Sequence, residues 1–189
     1  TPYFAEVCKS AGYKTGYIGK WHIDGHGRTS YIPPERRRGF DFWRALECTH
    51  KYFDSQYYHQ NEKEPRTWPK YDAVSQTEEA CKYISQTSGQ DPFCLFLSWG
   101  PPHDPYIAPS KYMERFSEDT IQLRENVNDF EAAQTMWNEC DTALPSQTHY
   151  NVRERFVSHL KDQENDEIKK WYKGYYAAIE TLDDCMGDI

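Results

Sequence analysis

Two short segments concentrate side chains able to handle a small oxyanion. The first is Tyr17-Ile18-Gly19-Lys20-Trp21-His22; the second is Leu97-Ser98-Trp99-Gly100-Pro101-Pro102-His103-Asp104. Lys20 supplies a compact positive charge. His22 and His103 can donate a hydrogen bond or move a proton near neutral pH. Each segment reads as a strand running into a polar loop, and in an open parallel sheet ligands bind beyond the carboxyl ends of the strands. If both strands are parallel members of one sheet, the three side chains share an edge. Taken singly, a histidine after a strand is usually a loop residue bonded to backbone; the pair on two strand ends, with Lys20, brings the functional reading level with that one.

Other residues invite chemistry but read more simply. His22 and His26 have a metal-pair spacing only on a helix, and Gly25 and Gly27 argue against a helix there. Arg36-Arg37-Arg38 could form an anion patch; a solvated loop with an arginine or two paired to acidic neighbours is the plainer reading. Asp183-Asp184 lie on a long helical pattern, where they read as polar surface and local capping. Trp21 and Trp99 could stack on a sugar ring, but core packing is the plainer reading.

The elements that must position these residues alternate in an α/β rhythm. Thr1 to Ala11 has a helical pattern, with Thr1 as cap, Pro2 in the first turn, and Phe4, Val7, Cys8 and Ala11 on one face. Gly12 ends it, and Tyr13 to Gly19 reads as a strand. Ile23 to Phe40 reads as loop, and Phe42 to Asp72 as an irregular excursion. Gln76 to Gln86 is a helix. Pro92 to Trp99 carries a continuous apolar run that predicts a strand buried on both faces. Three prolines hold the segment after it as loop. Ser110 to Phe116 suits a short helix. Glu167 to Ile189 suits a long amphipathic one, with Ile168, Trp171, Tyr172, Tyr175, Ile179, Leu182, Met186 and Ile189 as its apolar stripe.

Composition narrows the class. The 189 residues are enough for one domain with a real core. A net charge of −8 argues against a nucleic-acid partner, though a locally positive site can still take an anion. The six cysteines form no CxxC pair and are too sparse for a disulfide scaffold. No apolar run has the length to cross a membrane, and no signal peptide is seen. The chain starts at Thr1 and a helical pattern runs to Ile189 without a stop signal, so an internal piece of a longer protein is expected.

The run from Ala11-Gly12-Tyr13 through Thr15-Gly16 to Gly19-Lys20-Trp21-His22 closely resembles the A-G-Y-x-T-G-x-x-G-K-W-H segment of the type I, formylglycine-dependent sulfatases. Three later pieces agree in order and character: Arg38-Gly39-Phe40-Asp41, Pro92-Phe93 through Pro102-His103-Asp104-Pro105, and Tyr175-Tyr176-Ala177-Ala178-Ile179 with Leu182-Asp183. The polar stretch from Asn126 to Asn165 matches nothing in that pattern and reads as an insertion.

The resemblance implies an alkaline-phosphatase-like α/β fold, a mostly parallel sheet flanked by helices, incomplete here. Residues 1–189 would then be part of a sulfatase catalytic domain that hydrolyses a sulfated small molecule or glycan. In that family the nucleophile is a formylglycine made from Cys or Ser in C/S-x-P-x-R, with a calcium ion bridging it and the sulfate. Carried over residue by residue, Lys20 would contact the sulfate. His22 would hold the formylglycine hydroxyl and act as base when the sulfated intermediate breaks down. His103 would bind a sulfate oxygen near the leaving group. Asp24 and Asp104 would touch the alcohol part of the substrate. No Cys or Ser in the 189 residues begins C/S-x-P-x-R, and the family's acidic metal ligands fall outside this segment, so no metal ligand is assigned within it. The piece alone is accordingly expected to be inactive and poorly stable. A periplasmic, secreted or lysosomal setting is implied as well. The rival readings are a phosphonate or phosphodiester hydrolase of the same superfamily and a non-catalytic binder of anionic glycans.

Overall fold

A computed structural model describes residues 1–128 and 165–189. They belong to two compact units, Thr1–Arg115 with Gly174–Ile189, and Phe116–Lys173. The first unit carries the sheet. Helix α1 (Phe4–Ser10) leads into strand β1 (Lys14–Lys20); then come β2 (Phe42–Leu46), β3 (Gln56–His59), β4 (Arg66–Thr67), helix α2 (Asp72–Thr87), β5 (Phe93–Ser98) and a short helix α3 (Ser110–Met113). A last helix, α4 (Asn165–Gly187), belongs to this unit from Gly174 onward. In the second unit, the described part of α4 follows two single turns at Glu118–Thr120 and Glu125–Asn128. There Lys173 reaches Glu118 at 3.4 Å.

The strand order is β4-β3-β2-β1-β5. β1 is parallel to both neighbours, pairing Gly16 with Phe42 and Leu95, and Gly19 with Ala45 and Ser98. β3 and β4 extend the sheet antiparallel. The predicted α/β class and the β1 and β5 strands hold to within a residue or two. Successive β1 residues face opposite layers. Tyr17 joins Trp21, Trp43, Ala45 and Tyr58 on one side. Ile18 joins Ala80 of α2 and Trp68 on the other. Trp43 is fully buried; a change to Ala would cost about 3–5 kcal/mol.

Several expectations are corrected. Phe42–Asp72 is not irregular: it supplies β2, β3 and β4. β5 is half-buried rather than sealed on both faces, with Phe96 at 45% exposure, because it is the edge strand among the described residues. In α1 it is Ala5 that is buried, while Phe4 and Val7 are exposed, and the helix starts at Tyr3, whose N–H donates to Glu6 Oε2 at 2.8 Å. In α4 the expected stripe holds at Ile168, which is buried, and at Leu182, which packs on the core, but the other buried positions include Ala177, Ala178, Thr181 and Cys185, while Tyr175, Ile179, Met186 and Ile189 are exposed. Small residues win there because the backbone comes close: a Cβ on Gly174 would lie 1.8 Å from the Tyr106 carbonyl oxygen. Arg37 is not solvated. It is buried, donating to the carbonyls of Ile32 and Gln60 at 3.0 and 2.7 Å, with its guanidinium 5.1 Å from the Trp43 ring centre. The expected insertion lies almost wholly outside the described residues.

Candidate active site

The parallel strands β2, β1 and β5 are neighbours, so their carboxyl ends form one edge. Adjacent strands lie about 4.8 Å apart. Three loops therefore start side by side: Trp21 onward after β1, Glu47 onward after β2, and Trp99 onward after β5. This is the arrangement that the sequence required for Lys20, His22 and His103 to share an edge.

Gly19 makes the close approach. Its φ is +111°, and a Cβ there would lie 2.0 Å from the Ser98 carbonyl oxygen. Lys20 closes the strand, its carbonyl accepting from the Tyr17 hydroxyl at 2.6 Å. The ladder continues past the strand, with Trp21 N–H donating to Leu46 O at 2.9 Å and His22 N–H to Glu47 O at 2.8 Å. His22 adopts φ +58°, a left-handed conformation that costs a non-glycine residue on the order of 1 kcal/mol and needs support. Glu47 provides it. Its buried carboxylate accepts from the N–H of Asp24 at 3.0 Å and of Gly25 at 2.9 Å. Trp21 and Trp99 pack in the interior, as the plainer reading had it.

Asp24 and Asp104 differ. The Asp24 side chain is only 3% exposed and forms a two-point pair with Arg36, at 2.8 and 3.1 Å. It also lies 3.3 Å from His26 Nδ1. Its geometry is that of a loop brace, not of a group free to meet a substrate. Asp104 is exposed, and its Oδ1 lies 2.9 Å from His103 Nδ1. A carboxylate there orients the imidazole and leaves Nε2 for another partner. The loop itself is held by buried Tyr52, whose hydroxyl bonds to the carbonyls of His103 and Asp104 at 2.7 and 3.1 Å. Burial, with Asp72 and Asp104 nearby, drives the Tyr52 pKa far above its ordinary value, so it stays a neutral donor. The Pro101-Pro102 and Asp104-Pro105 peptides are cis.

Sequence reasoning missed His50, which follows β2. Its ring centre lies 4.4 Å from that of His103, and its Nε2 lies 3.5 Å from Arg28 Nη2. Burial lowers the His50 pKa, and His103, Lys20 and Arg28 add to the effect against Asp104. Burial and the charges around it thus favour the neutral form of the His50 ring. Donor atoms of His50, His103 and Asp104 all lie within 4.8 Å of one another, close enough for one metal ion to bridge. The signal that could have found His50 was its place four residues beyond a strand end, once β2 is seen.

Beneath this edge is a cavity of about 10 Å³ lined by Lys20, Thr49, Ser55, Asp72 and Gln76. Asp72 and Gln76 are buried, and Asp72 Oδ1 and Gln76 Oε1 have no hydrogen-bond partner among the described residues. Burial pushes the Asp72 carboxyl up to about 7, against a smaller opposing effect from the Ala73 N–H.

Comparison with known proteins agrees with this geometry. The family model described as Sulfatase matches residues 1–189. The chain is 44% identical over 126 residues to an ulvan-active sulfatase of Formosa agariphila, covering 66% of this chain and 25% of that protein. It is 21% identical over 201 residues to an N-acetylglucosamine-6-O-sulfatase of Bacteroides thetaiotaomicron, covering 93% of this chain and 33% of that protein. A Bacteroides fragilis structure described as a yidJ sulfatase has the same fold, with a TM-score of 0.70 at 24% identity over 98% of this chain and 38% of its own. A sulfatase-fold structure in complex with its substrate D-glucosamine-2-N,6-O-disulfate gives a TM-score of 0.65 at 19% identity over 99% of this chain and 45% of its own. The chain thus spans a quarter to a third of the length of these curated relatives. With the strand-edge geometry and a family match along its whole length, the chain belongs to the sulfatase family.

Proposed function

We propose that the intact protein hydrolyses a sulfate ester on a carbohydrate, with Lys20, His22 and His103 on the sulfate. The observation that carries this reading is that Lys20 closes β1, His22 follows it and His103 follows the adjacent parallel β5, at one sheet edge of a sulfatase-family chain. Two relatives are named for sulfated glycans, and one structure with this fold holds a disulfated glucosamine. In this reading Lys20 neutralises the sulfate as charge builds on its oxygens. His103, oriented by Asp104, donates to an oxygen beside the departing alcohol. His22, held by Glu47 O, exchanges a proton with the attacking hydroxyl. Asp24 braces the loop and makes no substrate contact.

The calcium and formylglycine of the family belong, in this reading, to other parts of the intact protein. Calcium favours six or more oxygen donors. The bridging group described here offers two imidazoles and one carboxylate, with Lys20 and Arg28 close to His50, and does not fit that ion. When bound, such an ion would act as a Lewis acid on the sulfate.

The test is sulfate release by the intact protein from an aryl sulfate and from sulfated oligosaccharides, beside matched phosphodiester and phosphonate substrates. Faster sulfate release supports the reading. Preferential phosphodiester or phosphonate cleavage, or glycan binding without turnover, overturns it.

A further inference from the structure

The function above leaves Arg28 unused. Its backbone is held in place, the carbonyl accepting from Cys48 N–H at 2.8 Å. Its side chain is exposed, and among the described residues no carboxylate lies within ion-pair reach of it. Its recorded side-chain contact is the long 3.5 Å approach to His50 Nε2. His50 in turn packs at a tilt against His103, one of the groups assigned to the sulfate, with ring centres 4.4 Å apart. A chain of contacts therefore runs from the sulfate position, through two imidazoles, to a guanidinium whose other donors meet no acceptor among the described residues.

Arg28 also lines an open cleft of about 470 Å³, together with His22, Ile23, Gly27, Glu47 and Cys48. The cleft therefore adjoins the sulfate position through His22. Of the carboxylates near it, Glu47 is engaged by the N–H groups of Asp24 and Gly25, and Asp24 by Arg36. Asp104 faces His103. Lys20 and Arg28 are the fixed cations around His50. That balance disfavours a metal ion among the histidines and favours an anion. A planar guanidinium suits a carboxylate or sulfate held at two points.

We propose that Arg28, with His50 beside it, binds a second anionic group of the substrate, one sugar unit away from the sulfate that is cleaved. The substrate class is then a polyanionic glycan, bearing a uronate carboxylate or a further sulfate next to the scissile ester. This rests on the sulfatase reading of the same site.

The experiment uses the intact protein and three disaccharides that share one scissile sulfate. One carries no other charge, one carries a neighbouring uronate, and one a neighbouring second sulfate. The expected result is a kcat/KM roughly tenfold higher for at least one two-anion substrate, since a charge-assisted contact at an exposed site is worth about one decade. Arg28→Gln should bring that ratio close to one, and Arg28→Lys should keep part of it. The favoured arm tells carboxylate from sulfate. A ratio near one in the wild type, or a ratio that Arg28→Gln leaves unchanged, overturns the inference while the hydrolase reading stands. If no disaccharide is turned over, the hydrolase reading fails instead. Calorimetric binding of the same compounds then decides: a roughly tenfold weaker two-anion complex in Arg28→Gln supports the subsite, and equal binding overturns it.

Discussion

Replacing Asp72 by Asn should make the protein more stable at high pH and leave it nearly unchanged in acid. Asp72 is 2% exposed, and one of its oxygens has no partner among the described residues. Its carboxyl ionises near 7 instead of 3.8 because burial penalises the charge. Between those values the folded protein keeps a proton that the unfolded chain releases. Stability contributed by this group is therefore full below about pH 4 and falls as pH rises, levelling off above about pH 7. A difference of roughly three decades, at ~1.4 kcal/mol each, amounts to about 4 kcal/mol. Asn has the same shape and no charge to bury. The Asn-minus-Asp stability difference should grow by that order between about pH 4.5 and about pH 8. Denaturant unfolding of both forms at the two pH values, followed by tryptophan fluorescence, measures it. A protonated-carboxyl infrared band that titrates near neutrality and is missing from the variant would identify the group. A stability difference independent of pH would refute the reasoning and place a compensating partner on Asp72.

Other changes test how the strand edge is built. Gly19→Ala should destabilise by about 3–5 kcal/mol, because the φ is left-handed and the new methyl meets Ser98 O at 2.0 Å; thermal unfolding checks it. Lys20→Ala should lower kcat for sulfate ester hydrolysis by on the order of 10²–10³ with the fold intact by circular dichroism. Glu47→Ala removes the acceptor for two backbone N–H groups that support His22. It should reduce kcat/KM by roughly tenfold to a hundredfold, while costing about 1–3 kcal/mol of stability.

Much of the candidate site was legible because its residues obey local rules. Gly19 and the proline run after β5 punctuate two strands, and the charged residues stand where strands end. β2 was not legible. Arg44 interrupts its apolar run, and only the fold supplies the Glu79 carboxylate at 2.9 Å, the Gln60 amide and the Phe42 ring that make a buried arginine tolerable. With β2 hidden, His50 had no strand end to mark it. Arg37 was misread for the same reason, since its acceptors come from residues five to twenty-four positions away. The face of α4 was only partly legible, at Ile168 and Leu182, because bulky apolar residues dominate a helical pattern, whereas contact at Gly174 demands small ones. Asp24 shows the converse limit: its place beside His22 was plain, but its partner Arg36 was set by the loop.

The way Glu47 holds the loop after β1 bears on how such a site can diversify. Its carboxylate grips main-chain N–H groups at Asp24 and Gly25, and Cys48 N–H grips the main-chain carbonyl of Arg28. None of these links depends on the side chains of Ile23 or Arg28, which are exposed. The path of the loop, and with it the posture of His22, can persist while those two positions drift. Mutational tolerance is thereby concentrated on the rim of the cleft, where a change of residue alters which molecule is welcomed without disturbing the groups that act on it.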